Sequence, residues 1–375
     1  MKPYAIVLIL TGLTAGCAST KVSYMFLSPE RWSQEMARRG VGLREVPNPL
    51  AVSPEIGETA GAFAGLGSAQ ERLQRLQLAL FDASSFPFHY EHRETFTAIE
   101  AFARREGNCL SFTNLFVAMG RSLGLPVTTA LVRRVQATEK EGDLMIVNNH
   151  VVAALQDGTV WQYYDFDQRS HERPTQIQPL DDLWITALYL NNRGADELRV
   201  GHPDIALRFF DYATKLAPTF APTWGNVGVA RRRLGDTQGA LDAYSHALTV
   251  SAADPTILGN LASLYKSLGK EQEAREVTLA IKVGNATPNA LIVRGDLDLA
   301  MGRTSSAIRL YKRARHLGPR LADPWMALAR AELARSRPDR ARKDLGRALE
   351  LEPGNKDAAD LLHLLEAAPV PDSRR

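Results

Sequence analysis

The spacing of apolar residues divides the chain into a mixed first part and an all-helical second part. Amphipathic segments predict helices over residues 70–81, 94–105 and 109–123. Segments rich in Val, Leu, Tyr and Trp predict strands over residues 127–135, 145–156 and 159–166. Helices followed by strands are typical of an α+β domain, which we place at residues 68–185.

From residue 187 onwards a 34-residue period replaces the strand pattern. Small and aromatic residues recur in one frame, first as Ala206, Phe210 and Ala213, then as Ala240, Tyr244 and Ala247. This pattern resembles the tetratricopeptide repeat, which implies helical hairpins stacked into an all-α solenoid. We predict about five repeats over residues 187–355, followed by a capping helix and a mobile tail over residues 356–375.

The N-terminus has the pattern of a secretion signal. Lys2 precedes an apolar run that is too short to span a membrane and that ends in Leu13–Cys17. This ending resembles the lipobox of bacterial lipoproteins, which implies removal of residues 1–16 and a lipid anchor on Cys17. By the same resemblance, the residues that follow favour the outer membrane of a bacterial envelope, facing the periplasm. An ordinary secretory signal with an incidental cysteine is the alternative.

The segment after the predicted anchor, residues 17–67, is rich in Pro, Gly and other small residues. Such a composition is typical of connecting segments without regular structure. We therefore predict a tether that gives the anchored protein reach.

Cys109 is the one thiol that remains if Cys17 carries lipid, and it starts a predicted helix. Gly107 and Asn108 precede it, and apolar residues follow at helical spacing. The unpaired N–H groups and the positive dipole end of a helix favour the thiolate, which is the nucleophilic form of cysteine. The same N–H groups are suited to an oxyanion hole. An inert core cysteine is the alternative.

A predicted β-hairpin supplies a base and an acid for this cysteine. Asp157–Gly158 is a preferred pair for a two-residue turn, so the residue before it should pair with the residue after it. In that register His150 faces Asp165, close enough for the carboxylate to hold one imidazole nitrogen. Asp167 lies one step further along the same face and is the substitute acid. The predicted catalytic residues are therefore Cys109, His150 and Asp165.

These residues resemble the transglutaminase-like superfamily of papain-type folds, in which a cysteine-bearing helix packs on an antiparallel sheet carrying His and Asp. The resemblance covers residues 88–170 and rests on a Gly-x-Cys at a helix start, the segment 123–127, the His150 strand and Trp161 before Asp165. It implies that Cys109 attacks an acyl carbon, that His150 transfers the proton and that Asp165 orients His150.

Charge and motif content argue against nucleic-acid, metal and cofactor binding. The chain has 375 residues, and its net charge of +3 is too small to indicate nucleic-acid binding. The basic stretch Arg303–Arg347 is usual for a solvated solenoid face, with an acidic partner as the alternative. His89 and His92 have no further cluster of metal ligands around them in the sequence, and no phosphate-binding glycine motif is present. We predict no metal and no cofactor.

Two functions remain. The first is an envelope lipoprotein with a cysteine acyl-transfer domain that hydrolyses peptide or amide bonds, while its repeats bind a protein substrate or partner. Transfer to an amine instead of water stays open. The second is a non-catalytic scaffold lipoprotein. Asn226 and Asn260 lie one repeat apart and either hydrogen-bond a bound peptide or satisfy the repeat's own structure.

Overall fold

The structure is a computed structural model that describes most of the chain from Phe26 to Ala367. The predicted residues Cys17, His92 and Asp167 lie outside the described residues. The described residues are 26–42, 44, 46–82, 84–91, 94–132, 138–141, 144–147, 150–157, 160–166, 177–252, 254–281 and 288–367.

The first part of the chain is a mixture of helices and strands, as the sequence predicts. It contains α1 (Pro29–Arg38), α2 (Pro54–Ala64), α3 (Ala69–Phe81), β1 (His89–Tyr90), α4 (Ala98–Arg104), β2 (Glu106–Gly107), α5 (Cys109–Ser122), β3 (Val127–Val132), β4 (Thr138–Glu141), β5 (Leu144–Val147), β6 (His150–Asp157), β7 (Val160–Tyr164) and β8 (Ile177–Leu180). The three predicted helices are α3, α4 and α5, and the predicted strand 145–156 is divided between β5 and β6.

The prediction of a tether over residues 17–67 is wrong for most of its described part, because α1 and α2 form there. Both helices have a proline at their start, where a missing N–H costs nothing, and a serine N-cap before it, Ser28 or Ser53. Their apolar residues, such as Met36 and Ile56, are fully buried in the main core. The prolines therefore mark helix starts in a folded segment.

The sheet and α5 form the centre of this domain. Four antiparallel strands lie in the order β7-β6-β3-β8. Helices α2, α3 and α4 contact α5, which also packs on β3 and β6. Gly120 allows the contact with β3, since a Cβ there would lie 2.5 Å from a methyl carbon of Val127. Because α5 is covered by helices and by the sheet, its residues from Leu110 to Gly120 are buried.

The register of the β6–β7 hairpin differs from the prediction by two residues. Gln156 pairs with Trp161 and not with Thr159, because Asp157 belongs to the ladder and pairs with Val160. Side chains alternate with a period of two, so a shift of this size leaves every residue on its predicted face. The observed register places Tyr164 opposite Ala153, where its ring stacks on Phe116 with centroids 5.1 Å apart.

The described residues of the second part of the chain form five helical hairpins and a final helix. Its helices are α6 (Asp182–Arg199), α7 (Pro203–Leu216), α8 (Ala221–Arg233), α9 (Thr237–Val250), α10 (Pro255–Ser267), α11 (Glu271–Ala280), α12 (Pro288–Ala300), α13 (Thr304–Leu317), α14 (Asp323–Leu333), α15 (Pro338–Leu351) and α16 (Lys356–Ala367). The final helix, α16, lies where the sequence predicts the capping helix.

The boundary predicted between residues 185 and 187 falls inside α6. The first half of this helix, including Ile185 and Leu190, is buried in the core of the mixed domain, whereas Leu198 is buried in the core of the repeats. The indole N–H of Trp32 in α1 donates to Thr186 Oγ1 on α6 (3.0 Å). The first hairpin is therefore shared between the two parts.

In three of the described hairpins a glycine on one helix faces an aromatic ring on the other. A Cβ on the glycine would lie 2.3–2.5 Å from a ring carbon in each of three pairs, Gly194 with Phe210, Gly228 with Tyr244 and Gly295 with Tyr311. The equivalent positions of the third and fifth hairpins hold an alanine and a smaller partner, Ala262 with Thr278 and Ala329 with Leu345. The second residue of each pair is thus smaller where the first is larger.

Gly228→Ala tests this complementarity. Alanine is favoured in a helix by about 1 kcal/mol, but its Cβ cannot lie 2.5 Å from Tyr244, so we expect a net loss of about 1–2 kcal/mol. Adding Tyr244→Leu recreates the pair of the fifth hairpin and should recover part of the loss. The midpoint of thermal unfolding, followed by circular dichroism, measures both effects.

Gly346→Ala is the matched control, because this glycine of α15 has no heavy atom within 4 Å of an added Cβ. We expect it to be neutral or stabilising. A Gly228→Ala midpoint at or above that of the control would contradict the packing argument.

Candidate active site

Cys109 lies in the first turn of α5, where Asn108 is the N-cap. The Asn108 side chain accepts hydrogen bonds from the backbone N–H groups of Leu110 (3.1 Å) and Ser111 (3.0 Å). Within the described residues, no acceptor binds the N–H of Cys109 itself. The Cys109 side chain is half-buried. A free thiol and a backbone N–H without an acceptor among the described residues therefore lie together at a helix N-terminus.

Gly107 is required by the tight approach to this turn. Its φ is +150°, and a Cβ on it would lie 2.4 Å from the Cβ of Ser111. The Ser111 hydroxyl donates to Asn108 (3.1 Å) and accepts from the backbone N–H of Phe96 (2.8 Å). The cap of α5 is thus fixed by short polar contacts on both sides.

The structure brings His150 and Asp165 together as the sequence predicts. His150 Nε2 and Asp165 Oδ2 are 2.7 Å apart, with the two side chains 21% and 8% exposed. The Gln77 side-chain amide donates to the backbone carbonyl of Asp165 (2.9 Å) and holds the acid at the end of β7. In the observed register Asp165 lies diagonally across from His150, which is still within reach of a carboxylate.

The charge environment favours a protonated His150. Burial lowers the pKa of His150. Hydrogen bonds to Asp165 and Cys109 and the negative charges of both groups together outweigh this effect and raise the pKa to about 9. Because Nε2 is taken by Asp165, Nδ1 is the nitrogen that remains for the proton of Cys109. At neutral pH these contacts hold His150 as an imidazolium beside the Cys109 side chain.

Cys109, His150 and Asp165 have the contacts needed for nucleophilic acyl transfer. Cys109 offers a sulfur nucleophile, and its backbone N–H is a hydrogen-bond donor at the same helix start. His150 can carry a proton between thiol, leaving group and water, and Asp165 fixes its orientation.

The other predicted site residues lie elsewhere. Asn226, on α8, is half-buried and donates to Asn191 Oδ1 on α6 (3.0 Å), a contact within the repeats themselves. Asn260, on α10, is 9% exposed. His89 is exposed on β1. The predicted role of the two asparagines in peptide binding stays a prediction.

Sequence reasoning did not assign a role to Asn108, Gln77 or Thr95, which support the site. Asn108 carried a local signal, because asparagine before a helix start is a preferred N-cap. Gln77 and Thr95 carried none, since each reaches the site across a tertiary contact.

No helix among the described residues combines the length and apolar composition needed to cross a membrane. In the same part of the chain, no three His, Cys, Asp or Glu side chains gather as a metal site would require.

Comparison with known families supports the predicted family of each of the two parts of the chain. Residues 58–166 match the transglutaminase-like superfamily, and this range contains Cys109, His150 and Asp165. Residues 292–359 match the tetratricopeptide repeat. The predicted fold class, a transglutaminase-like α+β domain followed by an all-α repeat region, is confirmed.

Individual relatives share only part of this arrangement. The human protein O-mannosyl-transferase TMTC3 is 28% identical over 199 residues, which are 46% of this chain and 22% of that relative. A thermophilic repeat protein of Thermus thermophilus is 18% identical (TM-score 0.41), over 48% of this chain and 100% of its own. A repeat protein of Parabacteroides merdae is 22% identical (TM-score 0.36), over 48% of this chain and 72% of its own.

The chain thus spans about a fifth of the length of the curated relative named above. The repeats support a role in protein–protein interaction in general. Taken with the geometry around Cys109, the two family matches establish that this chain carries a transglutaminase-like domain followed by tetratricopeptide repeats.

Proposed function

We propose that the transglutaminase-like domain is a cysteine acyl-transfer enzyme that hydrolyses peptide or amide bonds. The observation that carries this proposal is the 2.7 Å contact between His150 Nε2 and Asp165 Oδ2, in a ring that also hydrogen-bonds Cys109. A core cysteine without a function would not need an oriented, charged imidazole beside it.

In the proposed reaction the Cys109 thiolate attacks the carbonyl carbon, and the oxyanion binds the N–H of Cys109. His150 gives its Nδ1 proton to the leaving amine as the carbon–nitrogen bond breaks, which leaves a thioester on Cys109. His150 then takes a proton from water, which attacks the thioester. The carbon–sulfur bond then breaks, which releases the carboxylic acid and frees the Cys109 thiolate. His150 still holds the proton from water, so the starting ion pair is restored.

The test is to react the full chain with an excess of a small acyl ester, stop the reaction with acid and analyse the protein by mass spectrometry. We expect an acyl adduct on Cys109 that forms faster than it hydrolyses. Absence of the adduct, with Cys109 inert to mild thiol reagents, would favour the scaffold function. Addition of a primary amine distinguishes transfer to an amine from transfer to water.

The repeats are proposed to bind the protein substrate or a protein partner. Their stacked hairpins form an extended surface of the kind that helical arrays use for this purpose. Asn226 and Asn260 are proposed to contact a bound peptide backbone. For Asn226 this requires that the peptide compete with Asn191 for the same amide.

We further propose that the protein is a lipoprotein of a bacterial envelope, anchored through Cys17 and facing the periplasm. Support comes from the short apolar run and the small residues before Cys17.

Cys17→Ser should prevent acylation and leave the protein soluble or unprocessed. Fractionation after labelling with a fatty acid measures the outcome, and the wild-type chain is the reference. Labelled Cys17→Ser protein in the membrane fraction would contradict the anchor.

A further inference from the structure

Thr95 connects the N-cap of the cysteine helix to the first repeat. Its hydroxyl oxygen accepts hydrogen bonds from Asn108 Nδ2 (2.6 Å) and from Asn192 Nδ2 (3.2 Å). Thr95 is 1% exposed, so both contacts are shielded from water. Asn192 lies on α6, the first helix of the repeat region.

The neighbouring contacts keep Thr95 in place. The next residue, Phe96, receives a hydrogen bond at its carbonyl from Asn114 (3.0 Å) and donates its N–H to Ser111 (2.8 Å), both on α5. The stretch around Thr95 is therefore held between α5 and α6.

The link determines which way the Asn108 amide faces. Its oxygen must face Leu110 and Ser111, because the helix presents N–H donors there. Its NH₂ group must then find an acceptor on the other side, and Thr95 is that acceptor. Asn192 donates to the same hydroxyl oxygen and so restrains the rotamer of Thr95.

We propose that Asn192 is a positioning residue of the cysteine site, which acts through Thr95 on Asn108 and so fixes the first turn of α5 around Cys109. The first repeat is then part of the reactive site as well as part of a binding surface. The proposal rests on Cys109 being the reactive group of the proposed function.

The test measures the rate constant for alkylation of Cys109 by iodoacetamide across a range of pH in the full chain. Asn192→Ala should lower the rate near neutral pH by roughly three- to tenfold, the effect of one lost hydrogen bond. Thr95→Val removes the shared acceptor and should lower the rate at least as much. The double variant should be no slower than Thr95→Val alone, because both changes break one link.

Thr95→Ser keeps the hydroxyl and should therefore keep most of the wild-type alkylation rate, unlike Thr95→Val. It also keeps the proposal testable if Asn192→Ala does not fold, since the serine and valine variants then decide. Asn191→Ala is the matched control: Asn191 precedes Asn192 on α6, but its side chain accepts from Thr223 and Asn226 on α8 (both 3.0 Å). It should lower thermal stability and leave the alkylation profile unchanged.

Equal profiles for Asn192→Ala and the wild-type chain, or equal losses in Asn191→Ala and Asn192→Ala, would overturn the positioning role. Alkylation needs no substrate, so it separates the two proposals. A chain that hydrolyses no acyl group but shows the alkylation pattern above would contradict the enzymatic function and support the positioning role.

Discussion

Cys109→Ala should abolish acyl transfer, with a fall in kcat/KM of about 10⁴-fold or more, because no other group at the site can form the thioester. His150→Ala should lose nearly as much, since the base and the acid for the leaving amine are the same ring. Asp165→Asn should retain slow turnover, at about one hundredth of the wild-type rate, because the acid acts only through His150. Hydrolysis of a small acyl ester measures all three rates.

Asp157→Asn is the control for this series. It makes the same chemical change on the same strand as His150, at an exposed position at the far end of β6. Its rate should match the wild-type rate. Acyl transfer that survives Cys109→Ala, or an Asp165→Asn chain as fast as the Asp157→Asn control, would show that these residues do not form the site.

The protein should become less stable at high pH, because His150 loses its stabilising charge there. The pKa of His150 in the folded chain is raised to about 9, above its ordinary value of 6.5, so folding favours the protonated form. This stabilisation is fully present below about pH 6.5 and is lost as the pH rises through about 9. Its full size is on the order of 3 kcal/mol, since one pKa unit corresponds to about 1.4 kcal/mol.

Chemical unfolding of the wild-type chain and of His150→Gln at several pH values measures this contribution. The free-energy difference between them should shrink by up to about 3 kcal/mol between pH 6.5 and 10. Asp165→Asn removes the hydrogen-bond partner and should flatten the pH dependence. A difference that stays constant over this range would mean that Asp165 and Cys109 do not hold His150 in its charged form.

The sequence alone determined the features that depend on short segments. Helix α5 was predictable because its cap residue, its apolar spacing and the glycine after it lie within about one helix length. The repeats were predictable because small residues recur at the same positions of successive hairpins, as with Ala206 and Ala240. His150 and Asp165 still meet, although they are not directly opposite as predicted, because a register shift of an even number of residues keeps both on one face.

Only the tertiary structure decided what α1, α2 and α6 do. Trp32 becomes buried because Thr186, more than 150 residues away, supplies a partner for its indole N–H. The hairpin register, in which Tyr164 pairs with Ala153 and stacks on Phe116, did not follow from the turn residues. Thr95 joins the cysteine site to the repeats through Asn192, a residue without a local signal. The physical reason is the same in each case: the free energy comes from partners distant in sequence, and no local pattern encodes which partners meet.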